Sequence, residues 1–176
     1  MPPIKPVELK RALVREGFEI YRTAGPFVLL AERVRDNLIM DSGVALGLPA
    51  ESVSDGSGGP ESERRGSAEP PEQHDWDQQS LVVRVVLKAQ ASEFPNEEGE
   101  NLLAHARALA GPFEGRGYRE TSTQTVVVKD PGDGTRVLDT WYEAFLELPV
   151  EGLSAAAAEL RFALEQKKTA GSTAED

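Results

Sequence analysis

Hydrophobic and polar positions alternate with a period of two through the stretch 121–148. Its first arm, 121–129, is made almost wholly of β-branched and strand-tolerant residues, which fit a pleated surface better than a helix. Asp130, Pro131, Gly132, Asp133 and Gly134 then combine the fixed φ of proline with the positive-φ tolerance of glycine, so a tight reversal is expected. The return arm, 135–148, places Leu138, Thr140, Tyr142, Ala144, Leu146 and Leu148 on one face. Val137, Asp139, Trp141, Glu143, Phe145 and Glu147 take the other. The first set reads as a core face, and the second mixes carboxylates with two large aromatics.

Upstream, Pro6 stands where a first helical turn tolerates it, Val7, Leu9, Leu13 and Val14 recur near helical spacing, and Gly17 follows. A helix over 6–16 is predicted. Residues 18–22 and 27–34 alternate as strands around Ala24, Gly25 and Pro26, and a polar turn at 35–37 leads into a further pairing strand at 38–41. Val44 to Leu48 fits either a strand end or one helical turn. Residues 81–89 alternate aliphatic with mixed positions and suit a strand inside the sheet. Asn96, followed by Glu97, Glu98 and Glu100, predicts a helix over 97–110 whose stripe is Leu102, Leu103, Ala106, Leu109 and Ala110. A third helix over 150–168 carries Leu153, Ala157, Leu160 and Leu164 on one face.

Between 50 and 79 the composition shifts to Ser, Gly, Pro, Glu and Asp, too poor in aliphatic residues to offset the entropy of ordering. A disordered loop is expected there, inserted in a single domain spanning 1–168, with a disordered tail at 169–176. The elements then run α-β-β-(loop)-β-α-β-β-α. This order implies an α+β fold, an antiparallel sheet of about five strands with three helices packed mainly on one face.

Charge narrows the partners. The net charge is −11, yet eight acidic residues against two arginines between 51 and 80 account for six of those charges, so the folded part is only mildly acidic. Nucleic acid is not expected as the main partner, because phosphate binding needs a basic surface that releases counterions. No apolar run approaches a membrane span, so no membrane partner is expected. There is no cysteine, which excludes a thiol nucleophile and a disulfide framework and agrees with a cytoplasmic location.

Catalytic patterns are sparse. His74 falls in the loop, and His105 has Asn101 and Leu109 one helical turn to either side, so neither builds a two-ligand metal site. Asp130 and Asp133 lack calcium-loop spacing and suit a turn. Gly115 and Gly117 match no nucleotide cradle. Asp139 and Glu143 near Trp141 fit either a general acid and base or alternating charge on a solvated face. No metal and no cofactor is therefore expected.

The features left for function are Val137, Trp141 and Phe145, read either as core or as a recognition surface, and Trp76, read either as folding back over the sheet edge or as a docking motif. Lys10, Arg11 and Arg15 form a basic patch on the first helix, a solvated face or an anion and partner site. The sequence is read as a non-catalytic adaptor or chaperone-like protein that holds another polypeptide, a second copy included, on a sheet face or edge. The alternative is a small enzyme or ligand-binding protein with a pocket between the second helix and the 121–148 hairpin.

Overall fold

The structure, a computed structural model, describes residues 4–36, 38–49 and 75–173, with backbone alone for Val34 and 168–173. Six strands form one antiparallel sheet: β1 (Ile20–Ala24), β2 (Phe27–Arg35), β3 (Leu38–Gly47), β4 (Ser80–Gln90), β5 (Arg119–Asp130) and β6 (Asp133–Glu151). Their order across the sheet is β1-β2-β3-β4-β6-β5. Among the described residues four helices accompany them: α1 (Pro6–Arg15), α2 (Gly99–Ala108), the single turn α3 (Gly111–Glu114) and α4 (Leu153–Thr173). The α+β class with one antiparallel sheet is as expected from the order of elements. One strand and one short helix more are present than the pattern suggested.

β4 shows why the layers form as they do. Leu81, Val83, Val85, Leu87 and Ala89 are buried, while the residues between them are half-buried or, at Lys88, exposed. The buried set shares one hydrophobic cluster with Leu9 and Leu13 of α1, Leu102 and Ala106 of α2, and Leu153, Ala156 and Leu160 of α4. Described helices therefore cover one face of the sheet, and the opposite face carries none. Burial of a leucine-sized side chain contributes roughly 1.5–3 kcal/mol, so this one-sided cluster is the main source of stability.

Local chemistry sets the element ends. Glu8 accepts the Lys5 backbone N–H at 2.8 Å, satisfying one donor left over at the start of α1. Gly17 has φ +94° just past that helix, a conformation glycine adopts without steric cost. Between α3 and β5, Tyr118 is 2% exposed, and its hydroxyl donates to Glu159 at 3.1 Å. Burial first, and then the Glu159 carboxylate, push this phenol above its usual range. Arg116 also holds Glu159, at 2.7 Å, so the loop is pinned to α4.

Several expectations need correction. The helix predicted over 97–110 begins at Gly99 and breaks after Ala108 into a second short turn, and Leu109, assigned to its buried stripe, is 42% exposed. Val7 and Val14, read as core positions of α1, are 47% and 54% exposed, because Ala12 rather than Val14 completes the buried face with Leu9 and Leu13. Of the two alternatives for Val44 to Leu48 the strand end holds, since Val44 to Gly47 continue β3. Residues 50–74 of the expected loop lie outside the described residues, but 75–79 form a short turn against the core. The backbone of α4 runs to Thr173, past the expected end at 168; residues 174–176 lie outside the described ones.

Leu160 is fully buried on α4. Leu160→Asp is expected to destabilise the protein by about 3 kcal/mol or more, through an unpaired buried charge. Urea titration measures this directly, and an unchanged midpoint would place the α4 stripe outside the core.

Candidate functional site

The helix-free face is built from rows of side chains that the strand registers bring level. Gly47 of β3 pairs with Phe27 of β2 on one side and with Val82 of β4 on the other. A Cβ at Gly47 would come within 2.4 Å of the Phe27 ring, so this ring lies flat across the glycine. In the next row Ala45, Arg84, Glu147 and Arg119 follow one another across β3, β4, β6 and β5. The Arg84 guanidinium sits 3.7 Å from the centre of the Phe27 ring and 5.4 Å from that of Phe145. Two of its nitrogens donate to one Glu147 oxygen, at 2.7 and 2.9 Å. Farther along, Lys88 lies 4.2 Å above the Trp141 ring. Cations laid over aromatic faces gain electrostatic attraction while their stems cover apolar surface.

Beyond Gln90 and Trp141, where the β4 and β6 ladder stops, β5 and β6 continue alone as a two-stranded ribbon. At its base Asp139 is tied down. It accepts from the Ser92 N–H (3.0 Å), the Ser92 hydroxyl (2.9 Å), the Thr140 N–H (2.8 Å) and the Trp141 indole (3.0 Å). Desolvation works to raise this carboxyl, but these donors outweigh it and hold it below its usual range. Glu143 accepts from the Gln124 amide at 2.7 Å. Asp139 and Glu143 thus have separate structural partners.

At the other side of β4 the sheet splits. β3 pairs with β4 only from Val44 to Gly47, because β3 kinks at Ser42 and Gly43. Gly43 takes φ +80°, its N–H donates to Asp41 at 2.9 Å, and the buried Ser42 hydroxyl donates to the Leu30 carbonyl at 2.8 Å. The Val86 carbonyl, past the end of the β3 and β4 ladder, accepts from Lys167 of α4 at 2.5 Å. A Cβ at Gly43 would stand 2.7 Å from this amine, so glycine serves both the kink and the approach. Burial pushes the Lys167 amine below its usual value and Lys88 adds to the effect, while Asp41, Glu32 and Glu143 oppose it.

The structure brings Trp141 and Phe145 together on the helix-free face, both half-buried. Val137 does not simply join them: Val128 pairs with Asp139 and Lys129 with Val137, leaving Leu138 as an extra residue that interrupts the alternation. Val137 and Leu138 are 52% and 51% exposed on the ribbon, so Leu138 is not the core residue its position suggested. Trp76 lies elsewhere, in the 3₁₀ turn Trp76–Gln78, packed against the hydrophobic cluster at the start of β4. Lys10, Arg11 and Arg15 are exposed on α1, with the exposed Val7 and Val14 on the same helix. His105 stacks on Phe94 at 4.2 Å and hydrogen-bonds to Glu97; His74 lies outside the described residues. Next to α2, a Cβ at Gly99 would stand 3.0 Å from the Tyr142 hydroxyl, so Tyr142 fills the gap between the start of that helix and the hairpin.

Sequence reading missed Phe27, Arg84 and Lys88 as parts of this face, and Lys167 as a side chain inside the sheet. Their association depends on strand order, which no local pattern encodes. Among the described residues no cluster of three metal-ligating side chains occurs, and no helix is long and apolar enough to cross a membrane. No protein-family model, no curated protein and no solved structure matches the chain.

Lys167 generates a pH prediction. Its folded-state pKa is lowered from 10.5, so the unfolded chain holds the proton more tightly and binds more protons between the lowered value and 10.5. Stability of the wild type relative to Lys167→Met is therefore expected to rise with pH through that window. Denaturant titrations of both proteins at stepped alkaline pH test it; a constant difference would mean that the amine is not desolvated.

Proposed function

We propose that this protein is a non-catalytic protein-binding module, an adaptor or chaperone-like protein that holds a partner polypeptide on the helix-free sheet face or its β5 edge. The observation that carries the reading is the one-sided architecture: the four described helices lie against one face, and the other carries the half-buried Trp141, Phe145 and Arg84, the last laid over the buried Phe27 ring. Half-buried aromatic rings beside arginine are a composition that anchors polypeptide contacts. Exposed sheet edges supply backbone donors and acceptors that an extended chain satisfies.

The same arrangement argues against the small enzyme or ligand-binding reading. A general acid and base need a carboxyl or imidazole free to exchange a proton with a substrate. Here Asp139 holds four donors, Glu143 an amide and His105 a carboxylate with a stacked ring. We place the module in the cytoplasm, a reducing compartment that suits a chain without cysteine.

The test is the double variant Trp141→Ala, Phe145→Ala. Both side chains lie opposite the main cluster, so the variant is expected to stay folded by circular dichroism. Capture of a polypeptide partner identified with the wild type should fall, since truncating one good anchor costs about 2 kcal/mol or more. Undiminished capture by a folded variant would remove this face from the binding surface.

A further inference from the structure

β5 is the last strand on its side of the sheet, and its outer edge pairs with no strand among the described residues. Between Glu120 and Lys129 it carries eight consecutive residues, Thr121 to Val128, with no charge, proline or glycine. Edges left open to water are usually blunted by charged side chains or proline. Its side chains are exposed on the helix side as well, Val127 by 47%, because apart from Arg107 of α2 at Glu120 the helices do not reach over this strand.

The charges at the two ends of β5 indicate what covers it. Glu120 pairs with Leu146 and Ser122 with Phe145, so Thr121 is an extra residue, a bulge that shifts the alternation by one. With that shift, Glu120 points to the helix side, opposite Leu146, and Arg119 to the helix-free side, opposite Glu147. From Ser122 onward β5 alternates without another extra residue, which puts Lys129 on the helix side and Asp130 on the helix-free side. The strand thus carries an acid and a base on each face, at opposite ends.

An antiparallel strand must set like faces side by side, and a two-fold axis perpendicular to the sheet does so for two copies of one edge. With this axis at Thr125, Thr123 lies opposite Val127 of the second copy, Gln124 opposite Val126, and Ser122 opposite Val128. The bulge then brings Glu120 opposite Lys129 on the helix side and Arg119 opposite Asp130 on the other. Without the Thr121 bulge, each of these pairs would fall on opposite faces. Glu120 is already oriented by Arg107 at 2.8 and 2.9 Å, ready to accept a second cation. We infer that the β5 edge binds a second copy of this chain, antiparallel about a two-fold axis at Thr125, joining two six-stranded sheets into one of twelve. This deepens the binding-module reading and rests on it for the premise that uncovered sheet surface holds polypeptide.

The chain has no cysteine, so a single introduced thiol reports position without interference. Thr125 is exposed, and on the axis it faces itself with Cβ atoms about 5 Å apart. Sedimentation is expected to show a dimer, and mild oxidation should link Thr125→Cys to itself. Thr123→Cys and Val127→Cys alone should link poorly, while a mixture of the two should link well. Lys129→Glu should raise the dimer dissociation constant about tenfold, because two symmetric ion pairs become repulsive. A monomer throughout the micromolar range overturns the inference, and so does a dimer in which Thr125→Cys stays unlinked. Self-linking of Thr123→Cys as efficient as the mixture would mean another register, with the same consequence. If these outcomes fail while the Trp141→Ala, Phe145→Ala variant still loses capture of its partner, only the β5 pairing falls; undiminished capture by that variant with intact linking removes only the face.

Discussion

Burial of one face of β4 is the constraint on which the rest of the structure depends. It pairs with β3 on one side and, over its whole length, with β6 on the other, so every helix that covers its apolar residues covers the middle of the sheet. Once α2 and α4 have done so, with α1 on β1 and β2 and α3 in the same cluster, no described helix is left for the second face. That face is covered instead by its own flat-lying side chains, Phe27 over Gly47, Arg84 over Phe27 and Lys88 over Trp141. Such a layer limits the exposure of rings while leaving them within reach of a partner.

The kink in β3 shows how a local departure from regular pairing is made good by side chains. Where β3 bends away, Leu30 is satisfied by the Ser42 hydroxyl and Val86 by the Lys167 amine. Buried carbonyls need such partners, since an unmet group costs about 1–3 kcal/mol. The lysine brings a charge into a partly desolvated slot, and its lowered basicity follows from that burial. The end of α4 is thereby tied to the sheet by a hydrogen bond as well as by apolar packing.

The two edges of the sheet differ in character. β1 is a five-residue edge strand at the side where α1 packs, whereas β5 runs twelve residues with its side chains largely exposed. A long uncharged edge is a liability unless something pairs with it. The bulge at Thr121 and the charges flanking the Thr and Val run give that edge a direction and a register, which non-specific strand pairing lacks.

Much of this was readable along the chain. Period-two alternation over 81–89 and 121–148 and the helical stripe through Leu153, Ala157 and Leu160 give the fold class, because burial of one face imposes those periods wherever an element packs. The same alternation put Trp141 and Phe145 on a face apart from Ala144 and Leu146. It did not reveal whether that face was covered, since coverage depends on which side of the sheet the helices take. Nor could it foresee the break at Leu138, which undoes the pairing of Val137 with Trp141, or choose between the two readings of Trp76, which packs against the core. Phe27, Arg84 and Phe145 are separated by dozens of residues and meet only through strand order. Residue periods are set by local backbone geometry, and the sequence carries them on its own; contacts between distant strands are set by the competition of all elements for one apolar layer, and only the tertiary structure decides them.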